Sequence, residues 1–257
     1  MLLFLDIGMV CCDNHGVFIG EWTRPPDPSI SMPPSGPLLL YVPLHVDDGL
    51  GITNSSSLYL WFLHVLLKRL HIVDLGPCSK FLSILIICNY ALQRLWLSPH
   101  IYVSELLDEW HLGFCKTAST PFPLSFPAIS DGTALPDVSD TDLVPQYQHL
   151  VGCLLYLVIA TCPDLSYYAM GLGQFNTAPT CAHFLVAKHV LRYLACMKLL
   201  ALCLGTSSPH VPAMLSAYMQ NVSCTDADWA SDAEDRKSIS GYSFYFQGSL
   251  VSWLAIK

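Results

Sequence analysis

Leu38-Leu39-Leu40-Tyr41-Val42-Pro43-Leu44-His45-Val46-Asp47-Asp48-Gly49-Leu50-Gly51-Ile52-Thr53 is an apolar run that ends in two adjacent carboxylates and a glycine, followed by a second short apolar run. The pattern predicts a β-hairpin over 37–53 with Asp47 and Asp48 at or beside its turn, open to solvent or to an ion. Successive strand residues point to opposite faces, so the turn must twist if both carboxylates are to meet one ligand. Side by side they repel each other unless a cation lies between them, and hard divalent ions such as Mg²⁺ take such oxygen ligands. A plain Asp-Asp-Gly hairpin turn is the alternative for the stretch taken alone. Pro43 has no N–H to give to a ladder, which predicts an edge or bulged strand.

Outward from this hairpin the chain alternates between helical and strand periods. Ser55-Ser56-Ser57 offers an N-cap to a helix through Leu70, with Tyr59, Phe62, Leu63, Leu66 and Leu70 at helical spacing. Phe81 to Cys88 and Arg94 to Leu97 read as a second hairpin, and Ser98-Pro99 opens a helix to about Trp110. Residues 115–145 have no apolar period and are rich in Pro, Ser, Thr and Asp, which predicts a linker. Three helices follow: about Pro145 to Ala160, Pro163 to Phe175, and one capped by Thr180 that runs to about Met197. From about Met214 the period becomes that of strands, with Ser223 to Asp228 as one. Ile239 to Phe246 and Ser249 to Leu254 form a hairpin around Gln247-Gly248. Upstream, Arg24 to Gly36 holds five prolines and predicts irregular chain. The fold class is therefore α+β.

Composition narrows the classes. At 53% hydrophobic and 12% charged, the chain carries about half the charge of an ordinary soluble domain. Its net charge of −8, with 12 Lys and Arg in all, argues against a free-standing nucleic-acid binder, because phosphate affinity comes from basic side chains. The longest apolar run, Leu150 to Ala160, falls short of the roughly 18 residues of a membrane helix, so no membrane partner is expected. The start, Met1 to Cys12, lacks the basic residues and cleavage site of a signal peptide, which predicts an intracellular protein. Eleven cysteines are scattered without a C-x-x-C pair and read as small buried hydrophobes in a reducing compartment.

Val46-Asp47-Asp48 resembles the x-Val-Asp-Asp box of reverse transcriptases. Downstream stand Ile72-Val73-Asp74-Leu75-Gly76, Phe81-Leu82-Ser83-Ile84, Leu150-Val151-Gly152-Cys153-Leu154-Leu155-Tyr156-Leu157, Thr161-Cys162-Pro163-Asp164 and Val190-Leu191-Arg192-Tyr193-Leu194. Asp226-Ala227-Asp228-Trp229-Ala230, Arg236-Lys237-Ser238-Ile239-Ser240-Gly241-Tyr242 and Val251-Ser252-Trp253 complete the series. In order and approximate spacing these segments resemble the copia-type retrotransposon Pol polyprotein from near residue 8 to the last residue. The resemblance implies a partial reverse transcriptase palm and thumb start over 1–114, a linker over 115–145 and a helical connection region over 146–210. The first strands of a truncated ribonuclease H-like domain would occupy 214–257.

The chemistry so implied is RNA-directed DNA synthesis on two Mg²⁺ or Mn²⁺ ions, which activate the primer 3′-hydroxyl and stabilise leaving pyrophosphate. Its partners would be an RNA template, a DNA primer and the rest of the Pol polyprotein, in the cytoplasm or nucleus. Asp47 and Asp48 match the paired catalytic and metal-binding carboxylates, and the family's third would precede residue 1. Asp226 matches the first metal ligand of ribonuclease H. Asp228, two residues on and hence on the same side of a strand, is a second candidate ligand. The ribonuclease H Glu lies beyond the last residue, so the chain alone is expected to be inactive. His45 stands for the family's Tyr, Ser83 for Gly, Cys162 for Arg and Cys196-Met197 for Gly-Thr. A non-catalytic remnant or co-opted binding module is the alternative, and a small metal-dependent phosphohydrolase using Asp47 and Asp48 is a third.

Overall fold

Alternation along Leu38–Val42 decides the first layer. Leu38, Leu40 and Val42 are buried while Leu39 and Tyr41 turn away, because side chains alternate across a strand. The computed structural model describes residues 2–12, 16–122, 143–205, 221–227 and 237–257. Contacts divide the chain into two units, Met1–Phe81 and Leu82–Lys257.

The first unit comprises α1 (Leu2–Asp6), β1 (Val10–Cys11), β2 (Val17–Trp22), β3 (Leu38–His45), β4 (Asp48–Gly49), β5 (Ile52–Thr53), α2 (Ser56–Leu67) and β6 (Lys80–Phe81). Its sheet runs β1-β2-β3-β4, with β5 also on β3, and the pairs are antiparallel. Phe4, Phe18, Leu38, Leu40, Leu58 and Phe62 form the core between sheet and helices, with the Phe4 ring 4.5 Å from Phe18. Each such side chain contributes about 1.5–3 kcal/mol on burial.

β3 lies inside this sheet and not at its edge, which corrects half of the expectation for Pro43. It pairs with β2 along Leu38 to Pro43, and its other side is shared by β5 and β4. The break between those two partners falls opposite Pro43, where no N–H is available; there Leu50 N donates to Pro43 O at 3.0 Å instead. Asn54 closes the hairpin base, accepting from Leu39 N and donating to Pro37 O, each at 2.9 Å. Ser55 caps α2 by accepting from Leu58 N, as its position predicts. That helix stops at Leu67, and Leu70 is exposed.

The second unit comprises β7 (Ile84–Asn89), β8 (Arg94–Ser98), α3 (His100–Glu109), α4 (Leu143–Ala160), a 3₁₀ turn (Pro163–Leu165), α5 (Ser166–Gly173), α6 (Cys181–Met197), β9 (Leu202–Gly205), β10 (Asn221–Ala227), β11 (Ser240–Phe246) and β12 (Ser249–Ile256). One core holds Val103, Leu106 and Leu107 of α3 together with Leu150, Leu154 and Leu157 of α4 and Leu191 of α6. The observed division after Phe81 thus differs from a boundary at 114: α3 packs with the helices beyond it. Of the expected linker, 123–142 lies outside the described residues, and α4 already begins at Leu143. The described part is held against α6, with Arg192 Nε donating to Lys116 O at 2.7 Å and Ala118 N to Arg192 O at 3.1 Å.

Helix α4 also corrects the length read from sequence. Its 18 residues are long and apolar enough to cross a membrane by length and composition. Its Tyr147, Leu150, Val151, Leu154 and Leu157 are nevertheless fully buried in the core just described.

β9 has no counterpart among the strands expected from the sequence. It pairs with β8, matching Arg94 to Gly205 and Leu97 to Leu202. β10, β11 and β12 form a separate antiparallel sheet in that order, with the β11–β12 turn at Gln247-Gly248, both at positive φ. Ser249 Oγ accepts from Gly205 N at 2.8 Å and donates to Gly205 O at 3.2 Å, tying β12 to β9. Tyr242, Leu254 and Ile256 remain exposed on the strands.

Candidate metal-binding turn

The hairpin places its two carboxylates at a tight corner. His45 pairs across the turn with Asp48, leaving Val46 and Asp47 as its central residues. His45, Val46, Asp47 and Asp48 are all exposed. Val46 has φ +52° and is 90% exposed, and Asp47 does not share the left-handed backbone. Turns with only the first central residue at positive φ favour glycine there, because a Cβ is crowded in that region. A β-branched residue in that place is strained by about 1–2 kcal/mol.

Tyr59 of α2 stands beside Gly51, in the segment between β4 and β5. A Cβ on Gly51 would come within 3.2 Å of the Tyr59 ring. The Tyr59 hydroxyl donates to Asp74 Oδ1 at 2.8 Å, and Gly76 N donates to the same oxygen at 2.9 Å. Burial, then the Asp74 carboxylate, push the Tyr59 phenol upward. Asp74 of the Ile72–Gly76 segment therefore serves as an anchor for the tyrosine beside Gly51.

Other recognised segments interlock in the second unit. Leu82 and Ser83 both take left-handed backbone, at φ 49° and 61°, so Phe81 to Cys88 is broken by a tight turn. Tyr156 donates its hydroxyl to Leu82 O and lies 4.7 Å from the Tyr102 ring. Tyr193 donates to Asp164 Oδ2 at 2.6 Å, and Trp253 Nε1 donates to Val158 O at 2.8 Å. Thr180 and His183 form a reciprocal cap at the start of α6. These residues hold the framework together.

Comparison with known proteins gives the chain its relatives. The retrovirus-related Pol polyprotein from transposon TNT 1-94 of Nicotiana tabacum is 32% identical over 212 residues, which take in 82% of this chain and 15% of that protein. An uncharacterized mitochondrial protein of Arabidopsis thaliana is 30% identical over 216 residues, 84% of this chain and 82% of its own length. The chain belongs to the retrotransposon Pol family. As a Pol fragment it spans about 15% of the tobacco polyprotein. The secreted RxLR effector protein 161 of Plasmopara viticola is 38% identical over 111 residues, 43% of this chain and 72% of that protein. No protein-family model and no solved structure matches.

The remaining candidates in this Pol fragment are less well placed. Asp226 lies exposed near the end of β10, opposite Gly241, and its Oδ1 accepts from Ala227 N at 2.9 Å. Asp228 lies outside the described residues. Among the described residues no group of three His, Cys, Asp or Glu side chains converges on one ion position. Asp47 and Asp48 fit a metal as two oxygen donors of a larger set, since a hard cation needs about six oxygens and takes several from water or phosphate. Sequence reasoning missed two things here: the strain at Val46 and the Gly51–Tyr59–Asp74 support. The first was legible in principle, since Val precedes Asp-Asp-Gly where a turn wants glycine. The second joins residues far apart in the chain.

Proposed function

We propose that this Pol fragment carries the rear of a reverse transcriptase palm, its connection region and the first strands of a ribonuclease H fold. Asp47 and Asp48 would hold Mg²⁺ or Mn²⁺ for RNA-directed DNA synthesis. The observation that carries this reading is the turn: paired exposed carboxylates stand beside a β-branched residue in strained backbone, and such strain clusters at functional sites. The bound ions would activate the primer 3′-hydroxyl and stabilise the departing pyrophosphate. Further ligands, and the basic channel for RNA template and DNA primer, would come from the rest of the Pol polyprotein, given a net charge of −8 here. Asp226, with Asp228, would begin a ribonuclease H metal site. Such a protein would work in the cytoplasm or nucleus.

The chain by itself is then silent in primer extension, because two carboxylates do not complete a two-metal site. The test pairs primer extension with Mn²⁺ binding followed by electron paramagnetic resonance, on the full chain and on Asp47→Asn/Asp48→Asn. Weak Mn²⁺ binding that the double variant loses, with no extension by either chain, supports the reading. Binding that survives the double substitution refutes the metal role of the turn. Extension by the unaltered chain would keep that role and overturn the silence.

A second reading is a non-catalytic remnant or co-opted binding module. It is favoured by relatives of which this region makes up most: 82% of the mitochondrial protein and 72% of the effector. It expects no Mn²⁺ binding at the turn in either chain.

A further inference from the structure

A cleft of about 180 Å³ opens in the second unit between the start of α3, the 3₁₀ turn after α4, and the chain from the end of α6 into β9. Its walls are mainly apolar, with Val103, Leu194 and Leu202 among them. Thr161 and Cys162 also line it; they are 6% and 9% exposed, with Thr161 Oγ1 3.6 Å from Cys162 Sγ. Asp164 is the single charged lining residue, and it is exposed. The Tyr193 hydroxyl holds its Oδ2 at 2.6 Å, a short charge-assisted contact that fixes the carboxylate in place. No lining residue is Lys, Arg or His, and among the described residues no ion pair engages Asp164.

These features select a ligand by size and charge. The volume equals about six waters at roughly 30 Å³ each, well under the roughly 300 Å³ of a drug-sized pocket. An apolar slot with one anion and no cation of its own complements a small amphiphilic cation. We propose that this cleft binds a short-chain alkylguanidinium or alkylammonium ion, its chain against Val103, Leu194 and Leu202 and its charge on Asp164. The site is independent of the Asp47–Asp48 turn and of the polymerase reading.

The experiment titrates the full chain with n-butylguanidinium, followed by protein-observed nuclear magnetic resonance, with n-pentanol as a neutral control of similar length. Saturable binding with a dissociation constant on the order of 1–10 mM is expected for so small a ligand. Asp164→Asn should weaken butylguanidinium by about tenfold or more and leave pentanol unchanged, since one charge contact is worth about that factor. Tyr193→Phe keeps the carboxylate and should keep most of the binding. Ala201→Trp, which fills the cleft, should abolish binding of both ligands. Equal affinity for the charged and neutral ligands, indifference to Asp164→Asn, or no saturation by about 100 mM would each overturn the proposal.

Discussion

Trp253→Phe tests whether the last strands belong to the helical unit. The indole Nε1 donates at 2.8 Å to Val158 O. That carbonyl sits in the last turn of α4, where the helix has no N–H to offer its own carbonyls. Phenylalanine keeps most of the ring, so the main loss is one donor to a carbonyl. Leaving a buried acceptor unpaired costs about 1–3 kcal/mol. The smaller ring gives up about 1 kcal/mol more of packing, discounted because Trp253 is only partly buried. The sum is about 2–4 kcal/mol, or about 4–16 °C in melting temperature at about 2–4 °C per kcal/mol for a unit of this size. The assay is a thermal melt followed by far-ultraviolet circular dichroism at the helical band, in parallel with a strand-sensitive probe. Both signals should fall together and earlier. A helical transition that stays within about 1 °C of the parent while the strands melt separately would show that β10–β12 is an independent module.

Three further outcomes follow from particular residues. Val46→Gly should raise stability by about 1 kcal/mol, measured by urea unfolding, because glycine takes φ +52° without strain and Val46 has little packing to lose. Gly205→Ala should lower stability by about 3 kcal/mol or more and loosen the β8–β9 pairing in hydrogen exchange. Gly205 has φ +135°, and its new Cβ would meet Gln93 O at 2.2 Å. Cys162 should be among the slowest cysteines to react with iodoacetamide at pH 8. Burial pushes its thiol up to about 11, so its reactive thiolate is scarcer than that of an exposed cysteine by about a hundredfold or more, a difference peptide mass spectrometry resolves.

What the sequence determined by itself was local. The hairpin around Asp47-Asp48, the Ser55 and Thr180 caps, the buried stripe of α4 and the Gln247-Gly248 turn all depend on residues within a few positions of one another. Periods of 2 and 3.6 and capping chemistry act over that range. The series of short segments also carried the Pol family, since their order is itself a property of sequence. Tertiary structure decided the rest. Pro43 looks like an edge residue until β2 and β5 are both found beside β3, and a missing donor says only that one ladder must break. The Leu202–Gly205 stretch is too short to show an alternation of its own, so β9 could be found only through its pairing with β8. Asp74, Asp164, Tyr193 and Trp253 read as motif residues in the chain and become anchors in the fold. Their partners lie 15 to 95 residues away. A hydrogen bond across that distance leaves no periodic trace in the sequence, because it is chosen by which surfaces pack and not by the neighbours along the chain.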